Sequence, residues 1–270
     1  SGAARSLSSG LSSSTPSPMS YTHLDPPSSS AAASLSDLLP PTGGHAFRIL
    51  PAGEERRSAA ATAAIRGWKL LCDELLPALR SRGHLHNVIY RHKTNASIVL
   101  CGGAADEAAS TVLGGATFRL IHNTREKIVI LDVLLLAVAQ RPGVCGMGHA
   151  TRIINALKSL LLQRASSLSA SPLLLTQADL GEQALAFWGR QGLREGPRAS
   201  SLLRSLHAAS PKEHIVYDYT VPMLLPLPRV GWRCTERQSK RAQELNEEDE
   251  DEEEEAVATG AASSSSSGNA

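Results

Sequence analysis

Cysteine is scarce. The chain of 270 residues has four, Cys72, Cys101, Cys145 and Cys234, and they fall at no metal-ligand or paired spacing. The nine histidines form no ligand pattern with them. No structural zinc is expected, and reduced thiols in a cytosolic or nuclear compartment fit this usage. Long apolar runs are also missing, since none approaches the roughly 20 residues a membrane-spanning helix needs. Neither the GxGxxG fingerprint of dinucleotide sites nor the Lys-Ser/Thr of a P-loop is present. No motif for direct nucleic-acid binding is found, and no membrane partner is expected. The chain does not begin with Met. Its Ser/Ala-rich start leaves organelle targeting open, although Arg5 is a poor basic complement for such a signal.

What is present is unevenly spread. Residues 1–43 are dominated by Ser, Ala, Pro and Gly, as in "SSGLSSSTPSP" and "LDPPSSSAAAS". Such a segment buries too little apolar surface to offset chain entropy and is expected to be disordered. Residues 236–270 carry "EEDEDEEEE" and "SSSSSGNA" and read as a second disordered segment, an acidic tail. One compact domain is expected between them, over 44–235. Of 26 acids, nine lie in the run Glu247–Glu255; against 27 Lys and Arg, the rest of the chain has ten more basic than acidic side chains. A basic body with an acidic tail suits an anionic ligand or partner. Two solvated charge populations that keep the chain soluble are the plainer reading.

Within the domain, "HAFRILPAG" reads as a strand, and "EERRSAAATAAIRGWKLLCDELLPALRSRG" as one long helix or two. "HNVIYRH", "ASIVLCGG" and "TVLGGATFRLI" read as strands, the paired glycines of the last marking a bulge or a close backbone approach. The apolar strand "KIVILDVLLLAVA" follows. Ile153, Ile154, Leu157, Leu160 and Leu161 recur at helical spacing between Met147 and Arg164. "SPLLLT" is a short buried strand, "GEQALAFWGRQG" a helix stopped by Gly192, and "EHIVYDYTV" a late strand. The order β-α-βββ-α-β-α-β predicts a mixed α/β domain around one sheet.

Two features carry chemistry. Asp132 is the single carboxylate in an apolar strand, and strand alternation places it on one face with Ile130, Leu134, Leu136 and Val138. Desolvation there would raise its pKa above about 3.9, which suits a general base. The alternatives are an Asp facing solvent or one paired with an arginine. The second feature is "GVCGMGHA", with Gly143, Gly146 and Gly148 just ahead of a helix. Glycines admit an anion to the backbone amides, and the helix start adds unpaired N–H groups. A diphosphate ligand fits, and a glycine turn without ligand is the alternative.

Four stretches in this order, "VLGGATFR", "LDVLLLAVAQRPGVCGMGHATRIINALK", "LLLTQADLGEQALAFWGRQGL" and "HIVYDYT", resemble the GNAT acetyltransferase superfamily. More narrowly, with the lead-in "ELLPALRSRGHLHNVIYRHKTNASIVL", they resemble the PCAF-type, or general-control, histone acetyltransferases. The resemblance spans about residues 65–225. It implies a GNAT fold, a mixed central sheet with splayed strands flanked by helices. It implies acetyl-CoA as cosubstrate with no metal, and lysine N-acetylation of histone tails or another basic protein. Coactivator subunits would be partners and the nucleus the location. Asp132 falls where the family has its catalytic glutamate, which takes the lysine proton through water before direct attack on the thioester. Leu136, Ala137 and Val138 match the segment along the pantetheine arm. Cys145, Gly146, Met147, Gly148, His149, Ala150 and Thr151 match the pyrophosphate loop. Gln183, Ala184 and Leu185 match a later coenzyme A-lining stretch, and Phe187 and Trp188 its packed helix.

The chain departs from that pattern in several places. The acid is one methylene shorter, and Cys145 stands where Gln or Arg is usual. The loop is two residues longer, and Trp188 replaces a Tyr that many GNAT enzymes use as an acid. No bromodomain sequence is present. Small amines or protein N-termini as acceptors, or a non-catalytic acetyl-CoA-binding module, remain the alternatives.

Overall fold

A computed structural model of the chain describes residues 21–25, 45–51, 59–76, 79, 83–102, 111–211, 214, 216, 217 and 219–228. The expected acidic tail and most of the expected N-terminal segment lie outside these residues. The chain divides into two units, Ser1–Arg229 and Val230–Ala270, and all described residues belong to the first.

Eight strands form one mixed sheet: β1 (Tyr21–His23), β2 (His45–Pro51), β3 (Asn95–Gly102), β4 (Thr111–Asn123), β5 (Ile128–Val138), β6 (Ser171–Asp179), β7 (Arg194–Glu195) and β8 (Thr220–Pro226). Their spatial order is β2-β3-β4-β5-β6-β8-β7, with β1 beside β4. All pairs are antiparallel except β5 with β6, the central parallel pair. The helices are α1 (Ala59–Leu75), α2 (His84–His86, running on as a π-helical turn over Asn87–Arg91), α3 (His149–Ser167), α4 (Glu182–Arg190) and α5 (Pro197–Ala209). The mixed sheet with helices on both faces is the architecture expected.

The helices bury stripes at helical spacing. In α1 these are Ala64, Ile65, Trp68, Leu71 and Cys72; in α3 they include Ile153, Ile154, Leu157, Leu160 and Leu161. The α3 stripe packs with Trp188 of α4 against one sheet face, over Ile98, Phe118, Leu131 and Val133. On the other face, α1 and α2 cover Val99, Cys101, Leu135 and Ala137, while α5 covers Ile121, Ile130 and Leu224. Each fully buried Leu, Ile or Phe contributes about 1.5–3 kcal/mol relative to exposure.

Four sequence expectations are corrected. Tyr21–His23, inside the stretch read as disordered, is a strand: it pairs with Ile121–Asn123, the end of β4 that β3 does not reach. "HNVIYRH" is helical, because Leu85 and Ile89 bury one side of the turn at i, i+4 spacing and Asn95 Nδ2 donates to the Val88 carbonyl at 2.8 Å. The helix α5 was not expected at all; it begins with Pro197 in its first turn, where a missing N–H costs nothing. The last strand starts at Thr220, later than "EHIVYDYTV" suggests.

The paired glycines do mark a close approach. A Cβ on Gly115 would lie 2.7 Å from the Ile98 carbonyl oxygen and 2.9 Å from Trp68 Cε3. On the opposite face, one on Gly114 would meet Val138 Cγ2 at 3.0 Å and Ile153 Cδ1 at 3.2 Å. One glycine thus admits α1, and the other admits α3 and the end of β5.

Candidate functional site

The parallel pair β5 and β6 runs in register only from Ile128↔Ser171 to Val133↔Thr176. Beyond that point β5 stays with β4 through Val138, while Gln177–Asp179 of β6 pair with β8. The two strands therefore part, and a V-shaped cleft opens at their carboxyl ends. The Thr176 hydroxyl donates to the Val133 carbonyl at 3.2 Å across the apex. A bulge explains the parting. Thr117 pairs with Leu135 and Phe118 with Val133, so Leu134 has no partner on β4. Such an extra residue bends its strand and increases the twist.

The bulge also changes which side chains share a face. Leu131 and Val133 pack under α3, but after the bulge Leu135 and Ala137 pack under α1, and Leu136 and Val138 take the α3 side. Asp132 therefore does not share a face with Leu136 and Val138, as unbroken alternation had suggested. It points to the side of α1 and α5, beside the cluster of Ile121 and Ile130.

The surroundings of Asp132 differ from expectation too. It is 1 % exposed, directly across from Arg119 in the β4–β5 register. Its Oδ2 accepts from Arg119 Nε at 2.9 Å and Nη2 at 2.7 Å. His214 Nδ1 lies 3.8 Å from the same oxygen, too far for a hydrogen bond, and the His214 ring stacks on His23 at 5.7 Å. Oδ1 is buried with no hydrogen-bond partner among the described residues. Burial alone would push this carboxyl upward, but the Arg119 charge and hydrogen bonds, with His214, hold it below its ordinary value. The raised pKa expected from the strand is thus overturned: Asp132 is an ionised carboxylate, not one poised near neutrality.

At the end of β5, residues 140–148 form an exposed turn. Cys145 N–H donates to the Arg141 carbonyl and Ala139 N–H to the Leu113 carbonyl. Gly143, Gly146 and Gly148 have φ of 79°, 79° and 71°, and a Cβ on any of them would meet nothing within 4 Å. Gly148 caps α3 in the left-handed region without a side-chain bond, and Arg152 N–H closes the first helical turn on its carbonyl. The amides of His149, Ala150 and Thr151 are those of a helix start. His149 is buried against the edge of His45 at 5.2 Å, and burial, then the charges of His45 and Arg152, keep its imidazole below its usual value. It is a packed, neutral ring.

Across the V, α4 follows β6. Gln183 is exposed, Ala184 and Leu185 are partly buried, and Gln191 Nε2 donates to the Thr151 hydroxyl at 3.1 Å, joining the two helices. Leu136–Val138, Cys145–Thr151 and Gln183–Leu185 thus lie on the segments leaving the carboxyl ends of the parallel pair. Crevices of this kind in open α/β sheets are where ligands bind. Phe187 and Trp188 pack edge to face at 5.2 Å within the core.

Sequence reasoning missed a second polar group near Asp132. Tyr217, ahead of β8, contacts His84 Nε2 of α2 through its hydroxyl at 2.5 Å. Its N–H donates to Gln177 Oε1 at 3.1 Å, and Gln177 is the first residue of β6 past the apex. Thr220 Oγ1 donates toward the same oxygen at 3.3 Å. Burial, then the Asp132 charge, raises the Tyr217 phenol to about 12 despite Arg119. Burial and His92 lower the His84 imidazole. A neutral phenol donating to a neutral imidazole follows. Tyr217 lay within the stretch "HIVYDYT", but nothing in its spacing pointed to a histidine 133 residues earlier.

Among the described residues no group of three His, Cys, Asp or Glu is placed to hold a metal, and no helix is long and apolar enough to cross a membrane. Cys72 is a buried free thiol and Cys145 an exposed one, and Cys101 is buried in β3.

No protein-family model matches the chain, and no curated protein matches it significantly. Solved structures do. The Tetrahymena GCN5 structure is similar at 18 % identity, over 68 % of this chain and 97 % of that one, with a TM-score of 0.46. An aminoglycoside acetyltransferase from an uncultured soil metagenomic sample is similar at 16 % identity, over 56 % and 93 %, with a TM-score of 0.38. Arabidopsis thaliana Naa50, in complex with a bisubstrate analogue CoA-Ac-MVNAL, is similar at 9 % identity, over 68 % and 99 %, with a TM-score of 0.39.

Proposed function

We propose that the chain is an acetyl-CoA-dependent N-acetyltransferase whose acceptors are lysines of histones or another basic protein, acting in the nucleus. The observation that carries this reading is the parting of β5 and β6 beside an open glycine turn and helix start. The residues present suit a nucleotide-tailed thioester. Past Val133, the edge of β5 toward β6 has no ladder partner among the described residues, so the backbone of Leu136, Ala137 and Val138 is available to an amide-bearing arm. The segment Cys145–Thr151 would hold the diphosphate, chiefly through the amides of the helix start at His149, Ala150 and Thr151, with no Cβ at Gly146 or Gly148 in the way. Gln183, Ala184 and Leu185 would line the far wall. When bound, the thioester supplies an activated acetyl group. This chain's own residues hold it, admit the amine and take a proton from it.

The acceptor chemistry follows from ionisation. A lysine at a pKa of about 10.4 is no nucleophile until it is deprotonated. Asp132 keeps a place at this step as a fixed negative charge under the cleft, with Oδ1 the oxygen that Arg119 leaves free. An acyl-enzyme on Cys145 is not part of the proposal, because that thiol sits in the turn assigned to phosphate. Coactivator subunits as partners belong to the same reading by the sequence resemblance.

Incubation with labelled acetyl-CoA and, in parallel, core histones, polyamines and peptides with free N-termini tests the reading. Label on histone lysines is expected. Preference for a polyamine or an N-terminus would move the acceptor class, and coenzyme A binding without any transfer would leave a binding module. The cradle has its own test. Gly148→Val puts a β-branched residue at φ 71°, a conformation costing about 1–2 kcal/mol. Coenzyme A affinity, read by calorimetry, should fall by about tenfold or more. Gly189→Ala, where a Cβ also meets nothing but φ is not positive, should leave it unchanged.

A further inference from the structure

An acid fixed in its ionised form is a poor final resting place for the acceptor's proton. Arg119 occupies Oδ2 of Asp132 twice and holds its carboxyl low. A general base works best when its pKa lies near the working pH. Another group near the cleft has to take the proton, and among the described residues Tyr217 and His84 form a hydrogen-bonded pair that can do so. We infer that Tyr217 and His84 form the proton relay of the reaction, the phenol oxygen receiving the amine's proton as its own passes to His84 Nε2. This rests on the acetyltransferase reading above.

The geometry supports the relay in three ways. The Tyr217 hydroxyl and His84 Nε2 are already in hydrogen-bond contact, so transfer between them needs no rearrangement. Gln177, the first β6 residue beyond the apex, holds the Tyr217 backbone and, through Thr220, the entry to β8. The phenol is therefore anchored where the strands part. Finally, the pair joins α2 to the segment between α5 and β8, so it bridges the two halves of the helical layer on the Asp132 side.

The step balances without another reactant. The ammonium gives one proton to the Tyr217 oxygen as the phenol proton moves to His84 Nε2, leaving a neutral amine and an imidazolium. The amine nitrogen then bonds to the thioester carbonyl carbon, the C–S bond breaks with its electron pair on sulfur, and the new nitrogen loses its second proton. The thiolate takes a proton, and the imidazolium returns its own to water. His84, lowered by burial, is neutral at pH 7 and free to accept. The groups bearing on the pair are His92 on the α2 side, Asp132 and Arg119 on the sheet, and His214 with its stacked His23 around that carboxylate.

Tyr217→Phe removes only the hydroxyl, and His84→Gln keeps a polar side chain. Both should bind coenzyme A as the unaltered protein does, with kcat lowered by about 10²–10⁴-fold. The pH profile of kcat/KM in the unaltered protein should show an acid limb below the ordinary histidine value of about 6.5. His84→Gln should erase that limb, and imidazole added to His84→Gly should restore part of the rate. A purely structural contact would show neither response. In ¹⁵N spectra of the free protein, the His84 imidazole should titrate below the usual histidine range, and Tyr217→Phe should shift that titration. Kinetics within about twofold of normal in both variants, with the acid limb intact, would overturn the relay alone. No transfer by the unaltered protein to any amine would overturn the activity and the relay together.

Discussion

Replacing Asp132 by Ala should destabilise the protein by about 3–5 kcal/mol, because it removes the carboxylate that faces the 3 % exposed Arg119 guanidinium. Arg119→Met should cost a similar amount by removing both hydrogen bonds to the buried carboxylate, with only His214 left beside it among the described residues. The double replacement Arg119→Met with Asp132→Leu should recover most of the loss, since apolar residues of like size often match a buried ion pair. Denaturant midpoints of the two single variants and the double give the coupling directly. If the single losses simply add, the pair is not the unit described here. The pH dependence has a definite sign. The folded carboxyl lies below its unfolded value of about 3.9, so its contribution is complete above that pH and disappears as pH falls through the folded pKa. Acid titration of stability should therefore show a loss below about pH 4 that Asp132→Leu in the Arg119→Met background lacks.

The same pair separates structure from catalysis. Asp132→Asn keeps the shape and one hydrogen-bond acceptor but removes the charge. If the charge draws an ammonium into the cleft, the KM for the amine should rise in this variant more than coenzyme A binding weakens. An unchanged KM with the stability loss intact would make Asp132 a purely structural acid.

How much of this could be read from the residues alone depends on whether the partner was local. The α3 stripe from Ile153 to Leu161, the glycine turn before it and the strand carrying Asp132 are written in near-neighbour spacing, and each lies where the spacing puts it. The close approach at Gly114 and Gly115 was legible too, although not the rings that press on it. The Arg119 partner was within reach but not found. Folding "TFRLIHNTREKIVILDV" about its turn sets Arg119 opposite Asp132, as the register does. The bulge at Leu134 had no local signal, and it broke the two-residue alternation on which the expected surroundings of Asp132 rested. The β1 strand is three residues in a polar, Pro-rich stretch, and only the overhanging end of β4 explains it. Tyr217 and His84 meet because α2 and the lead-in to β8 converge over the same sheet face, a tertiary fact with no trace in either segment.

Trp68 should be the most costly single side chain to remove from the α1 face, with Trp68→Ala losing about 3–5 kcal/mol. The indole is fully buried, its Nε1 donates to Thr117 Oγ1 at 3.0 Å, and Thr117 Oγ1 in turn pairs with Ser97 Oγ at 2.9 Å. Truncation therefore opens a cavity and breaks a buried polar chain at once. Trp68→Phe should cost less, since it keeps most of the volume and loses chiefly the bond to Thr117. The consequence extends to the cleft. Trp68 belongs to the cluster that includes Leu85, Val88 and Ile89, so the same packing seats α2 and with it His84. Gly115→Ala probes the contact from the other side. The added carbon would sit 2.7 Å from a backbone oxygen and 2.9 Å from the indole, neither of which is a flexible chain end. Overpacking of that kind costs about 1–3 kcal/mol. Both variants should lower transfer activity more than coenzyme A affinity, because the disturbed cluster seats α2 and His84, whereas α3, whose start faces the diphosphate, packs in the cluster on the opposite sheet face. Thermal melts with calorimetry on the same samples check this. Coenzyme A affinity falling in step with activity would mean that the two sides of the cleft are not separable.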